Sequence, residues 1–142
     1  MTKLTRVVAL ALTVVFATAA LALAAAPRSG NWKATKVQAG YDLKFTVSKG
    51  KITKIVGHVL EYCDGSSISD TTTFAPDSSW KIGKGGTFKG RHKETSGQVT
   101  VYFTFEGKIS GSKASGKLRE ESIVAGSTCD THKLKWTAKP GS

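Results

Sequence analysis

Along most of the chain apolar and polar residues take turns, one for one. Tyr41, Leu43, Phe45 and Val47 alternate with Asp42, Lys44 and Thr46, and Val99, Val101, Phe103 and Phe105 alternate with Thr100, Tyr102 and Thr104. A period of two places one set on each side of an extended chain, so both segments read as half-buried β-strands. Beyond Pro27 no segment carries the 3.6-residue period of an amphipathic helix. The same pattern predicts about eight strands, over 31–38, 41–47, 52–62, 67–74, 80–94, 98–109, 114–124 and 132–138. Ser48-Lys49-Gly50, Ser96-Gly97 and Gly111-Ser112-Lys113 separate them as turns, and Ala75-Pro76-Asp77 ends the fourth. The fifth is kinked or broken at 83–86. In the third, Ile55-Val56 and Val59-Leu60 break the alternation, so a bulge is expected there.

Strands at this spacing, joined by short turns, predict an all-β fold. The expected form is an antiparallel meander closed into a flattened barrel or β-sandwich. In an eight-strand meander the loops after strand three and before strand eight lie at one end. Cys63 and Cys129 fall in those two loops, so a bridge between them would draw that end together. A true turn at 83–86 would add a ninth strand and remove this coincidence.

The N-terminus departs from the pattern. MTKLTR carries Lys3 and Arg6 and no acid, an almost wholly apolar run follows, and Ala22-Leu23-Ala24 is a small-x-small cleavage pattern. This reads as a secretory leader over 1–24, with an uncleaved membrane anchor as the competing reading. A short linker over 25–29, one β domain over 30–138 and a tail over 139–142 complete the expected organisation. The expected location is outside the cytoplasm, secreted or in the cell envelope, with no membrane span after cleavage. The 21 basic residues outnumber 10 acidic ones, and 19 remain once the leader is removed, for a mature charge of +9. Such a surface attracts polyanions.

Cys63 and Cys129 are the only cysteines. In an exported chain an even pair reads most simply as a disulfide. Two other readings stay open. His132 three residues after Cys129 makes half of a zinc spacing, for which His58, five before Cys63, is not a usual partner. A thiol nucleophile would need a neighbouring base and a reducing environment. A bridge would close a 66-residue loop, stabilising the fold by roughly 4 kcal/mol through chain entropy.

Several motifs in order resemble a family of small exported bacterial β-domains. They are Gly30-Asn31-Trp32, the F-x-V-x-x-G-x-I run from Phe45 to Ile52, Cys63, Phe88-Lys89-Gly90, the F-x-G-x-I-x-G-x-x-A-x-G-x-L block from Phe105 to Leu118, and Cys129 before Trp136-Thr137. The resemblance implies an all-β domain with one disulfide and transfers no catalytic residue. A weaker likeness, through Gly30-Asn31-Trp32 and the late-strand tryptophan, is to avidin-type barrels and implies an interior ligand cavity.

Candidate chemistry is sparse. The strand phases turn Lys89, Arg91 and Lys93 outward together, and Lys133 and Lys135 outward from the last strand, which makes these five the candidate anion-binding residues. Lys117 and Arg119 project outward from the seventh strand. The same phases turn His92 and His132 inward, with Glu120 beside Leu118 and Asp70 beside Ile68, as a candidate inward polar cluster. No G-x-S-x-G motif and no phosphate-binding glycine loop ending in G-K-[ST] is present. Glu120 and Glu121 are adjacent and so point to opposite faces, which prevents them from flanking one bond. Tyr102 and Phe103 are adjacent too and form no base-stacking platform, so sequence-specific nucleic-acid reading is not expected. Neither a cofactor nor a bound metal is expected.

The sequence therefore points to a non-catalytic, exported binding or structural domain, with an anionic cell-wall or extracellular polymer as candidate partner. Three alternatives remain. One is a secreted enzyme inhibitor presenting 66–69 or 125–128. Another is a small-ligand carrier with a cavity lined by Trp32, Phe45, Phe103 or Trp136. The third is a hydrolase built on the inward His92, His132, Glu120 and Asp70.

Overall fold

The computed structural model describes residues 26–38, 41–64, 66–74 and 79–141. The leader segment over 1–24 lies outside them. Ten strands are present among the described residues: β1 Gly30–Gln38, β2 Tyr41–Ser48, β3 Lys51–Cys63, β4 Ser66–Phe74, β5 Trp80–Lys81, β6 Thr87–Ser96, β7 Val99–Ser110, β8 Lys113–Val124, β9 Ser127–Asp130 and β10 Leu134–Pro140. Every pairing is antiparallel. The expected meander holds from β1 to β4 and again from β6 to β9, but between them β5 pairs with β3 rather than with β4 or β6. The count rises above eight for two reasons. A short 3-10 turn, Lys84–Gly86, divides the fifth predicted strand into β5 and β6, and the segment read as the loop before the last strand contains β9.

Hydrogen bonding closes a six-stranded barrel through β1, β2, β3, β9, β8 and β10 and back to β1. From this ring β7 and β6 extend beyond β8, and β4 and β5 flank β3. The long strands β3 and β8 are bridged at one end by β10, β1 and β2, and at the other by β9 alone. Between β2 and β9 the ring side of β3 has no strand partner over 58–61, and between β10 and β9 that of β8 has none over 119–120; Gln38 and Thr131 bond into these gaps. The Gln38 amide takes the place of a peptide: its Nε2 donates to Leu60 O at 3.1 Å and its Oε1 accepts from Leu60 N at 2.8 Å. On β8, Glu120 N donates to Thr131 Oγ1 at 2.9 Å, and Thr131 N donates to Glu120 O at 2.9 Å. Buried backbone groups must be satisfied, and here two polar side chains finish the ladder.

The alternation read from sequence decides the core. Leu43, Phe45, Val47, Phe103, Phe105, Leu118 and Trp136 are all buried. The ring of Phe105 stacks on Trp136 at 4.7 Å between centroids, and Phe45 and Phe88 pack around the same pair. The repeated F-x-G pattern has a packing cause. A Cβ built on Gly90 would stand 1.8 Å from the Trp80 ring, and one on Gly107 would stand 2.7 Å from Trp136. Each phenylalanine thus fills the core beside a glycine that leaves room for an indole.

The bulge falls elsewhere than expected. Thr46 pairs with Lys54 and Val47 with Ile52, so Thr53 is the extra residue, ahead of the apolar doublets. Beyond it Ile55, Gly57, Val59 and Glu61 are all buried, in strict alternation.

The two cysteines form a disulfide, with Cα atoms 4.2 Å apart. They do not tie two loops. Cys63 on β3 and Cys129 on β9 stand directly opposite in register, so the bridge clasps neighbouring strands at the narrow closure of the ring. His132 is not the first residue of the last strand. It takes a left-handed backbone conformation, φ 56°, two residues before β10 begins.

Candidate functional site

The outer faces of the barrel carry the charge. On β6, β8 and β10, and at Lys133 just before β10, the predicted basic residues do project outward, but acids stand among them. Lys89 Nζ lies 3.3 Å from Glu106 Oε2 on β7. Arg119, on β8, is held by Asp130 of β9 through Nε bonds of 3.1 Å to both carboxylate oxygens, and by Glu121 at 2.9 Å. The Arg119 hydrogen bonds, helped by the His132 backbone N–H and opposed by partial burial, hold the Asp130 carboxyl below its ordinary pKa. The same bonds raise that of Arg119. Arg91 and Lys93 flank the Tyr102 ring at 5.1 and 5.4 Å from its centroid. Lys133 and Lys135 are exposed, and Lys135 stands opposite Lys117. Lys89 and Lys133 border a shallow hollow of about 170 Å³, which Glu106 and Arg119 also line. Among the described residues Lys89 alone of the five predicted residues has a carboxylate partner, Arg91 and Lys93 share the Tyr102 ring, and the neighbouring Arg119 is the cation most fully answered.

The inward polar cluster does not assemble as expected. Glu120 is fully buried. His92 is half-buried, and the register places Phe103 between it and Glu120, in the row His92–Phe103–Glu120 across β6, β7 and β8. His132 is a correction: its side chain is 77 % exposed, because the left-handed turn at that residue swings it out of the barrel wall. Asp70 stands opposite Val59 in the β3–β4 register, and its side chain falls outside the described part of the molecule.

A buried acid that the sequence reading missed is Glu61, which accepts a hydrogen bond from Ser122 Oγ at 2.5 Å. Its phase is legible only once the bulge is placed at Thr53 and alternation is counted from Ile55. Glu61 and Glu120 have 1 % and 0 % of their surface exposed, so no polymeric substrate touches them. Among the described residues no three His, Cys, Asp or Glu side chains gather as metal ligands would.

A different face has the stronger geometry for binding. The outer side of β1, β2 and β10 forms a groove of about 770 Å³ bordered by Lys33, Lys44, Lys54 and Lys139, with Asn31, Thr46 and Thr35 between them. Lys139, Lys33 and Lys44 stand directly opposite one another on three consecutive strands. Among the described residues no carboxylate lines the groove and none of the four lysines lies in an ion pair. Asp42, the acid on β2, turns to His58 Nδ1 at 3.4 Å instead. Like charges placed directly across a sheet repel, so this row of three costs stability, as the single Lys117–Lys135 pair does, whereas Lys89 on β6 faces Glu106. The sequence reading passed over these lysines because they are scattered over four strands. The outward phase of Lys44 was legible, but Lys139 fell in the expected tail over 139–142, the third strand that holds Lys54 had an ambiguous phase, and the adjacency required the β10–β1 pairing.

The groove also offers neutral hydrogen-bonding groups. Thr46 Oγ1 donates to Asn31 Oδ1 at 3.0 Å, and the Thr35 and Thr137 hydroxyls lie 3.5 Å apart. Its cations are lysines alone, flexible point charges without the planar fork that arginine presents to phosphate. Trp32 and Phe45, which contribute to its floor, are 1 % and 2 % exposed, so no aromatic face is presented there for base stacking.

No known family, curated protein or solved structure matches the chain.

Proposed function

We propose that this chain is an exported, non-catalytic β-domain that binds an acidic polysaccharide across the outer face of β1, β2 and β10. The observation that carries the reading is the unanswered lysine row Lys139–Lys33–Lys44, with Lys54 beside it. Groups that repel one another in the free protein gain most when an anion chain lies between them. Hydroxyl and amide groups along the same groove suit a ligand that carries hydroxyls as well as charge. The leader pattern over 1–24 and the Cys63–Cys129 disulfide support an oxidising compartment outside the cytoplasm, and the motif order supports kinship with the exported bacterial β-domains it resembles.

The test compares two variants of equal charge loss on immobilised polyuronate, cell wall and DNA at low and high salt. K33Q/K44Q/K139Q is expected to lose polyuronate binding by tenfold or more, on the order of what three phosphate-type contacts supply. K89Q/K93Q/K133Q is expected to lose much less. Equal loss in both would reduce the effect to net charge and overturn the site. Preferential, salt-resistant retention on DNA would overturn the choice of polysaccharide.

A further inference from the structure

The lysine groove does not end at β10. A second groove of about 480 Å³ runs on from it, lined by Lys108, Lys113, Ser110, Ser115 and Thr137, and the two share Thr35 and Lys139. Among the described residues no acid lines it either. The register explains the continuity. Ala138 pairs with Ala114 across β10 and β8, so the residues beyond them, Lys139 and Lys113, extend the same outward row. Lys113 in turn stands opposite Ser110 on β7. The row thus runs Val56, Lys44, Lys33, Lys139, Lys113, Ser110 over β3, β2, β1, β10, β8 and β7, flanked by Lys54 at one end and Lys108 at the other.

We infer that both grooves form one belt that takes a single linear acidic polysaccharide running across the strands. This deepens the proposed function and rests on it. Neighbouring strands lie about 4.8 Å apart, so the five steps from β3 to β7 follow an arc of roughly 24 Å along the curved barrel wall. A small anion would be held by one or two lysines and would leave the others facing one another. Only a chain with regularly repeated charge answers them all. The ligand therefore lies perpendicular to the strands, its acidic groups meeting successive lysines and its hydroxyls meeting Thr46, Thr35, Thr137 and Ser115.

Oligouronates of graded length, titrated into the folded domain by calorimetry at several salt concentrations, test this. For the native protein, affinity is expected to rise with length until the oligomer spans about 24 Å and then to level off. K108Q/K113Q is expected to weaken the longest oligomers on the order of tenfold, to lower the salt slope by roughly one and a half units, and to leave the shortest unchanged. Both lysines are exposed, and circular dichroism checks that the variant keeps its fold. If K108Q/K113Q binds long oligomers as the native protein does, or if affinity stops rising at oligomers that fit the first groove, the belt is wrong while the first groove stands. If the native domain binds no oligouronate of any length at low salt, the proposed function falls with it.

Discussion

Two outer faces of one barrel carry similar numbers of cations and use them in opposite ways. On β6, β7 and β8 the register sets Lys89 beside Glu106, and Asp130 and Glu121 close on Arg119. On β10, β1 and β2 the register sets lysine beside lysine. The difference teaches that a basic composition says little about where a polyanion binds. Cross-strand neighbours decide whether a cation is already answered or still available.

The contrast can be broken or sharpened experimentally, most severely through β9. This short strand supplies Asp130 to Arg119 and is clasped to β3 by the disulfide. Replacing both cysteines, C63S/C129S, is expected to lower unfolding free energy by roughly 4 kcal/mol in urea denaturation. Stability indifferent to the bridge would mean that β9 holds its place by hydrogen bonding alone.

A smaller effect is expected at Asp130 itself. D130N should cost about 1 kcal/mol, since Arg119 is close to half exposed and solvent screens the pair. The sign with pH follows from the lowered carboxyl pKa. The contribution is complete above the ordinary carboxylate value near 4 and disappears as pH falls through the lower value of the folded state. Thermal melting should therefore fall more steeply below about pH 4 in the native protein than in D130N. Parallel curves would remove Asp130 from the account.

The smallest effect has the opposite sign. K33Q relieves repulsion from Lys139 and Lys44 together, and is expected to stabilise the free domain by about 0.2–1 kcal/mol while weakening polyuronate binding. K89Q on the other face should be neutral or slightly destabilising, because it gives up the Glu106 partner. If K33Q destabilises, the lysines are not in conflict and the comparison between the faces fails.

Much of the architecture was legible in one dimension. Alternation identified Leu43, Phe45, Phe103, Phe105 and Trp136 as core, and the outward phases of Lys89, Arg91 and Lys93 are as read. The misreadings share a cause. Period-two counting is reliable only until the chain gains or loses a residue. The bulge at Thr53 concealed the inward phase of Glu61, and the left-handed turn at His132 put that side chain outside the barrel rather than in it.

What the sequence determined on its own was local: which residues form strands, which side of each strand is apolar, and that two cysteines stood ready to pair. Those properties follow from backbone sterics and the hydrophobic effect acting over a few residues. Only the tertiary structure decided which strands are neighbours. The first and last strands meet as β10 beside β1, β9 slips between β3 and β8, and lysines from positions 33, 44 and 139 arrive side by side. Adjacency across a sheet joins residues far apart in sequence. No short window encodes it, and the charge pattern that makes the candidate site exists only once the barrel has closed.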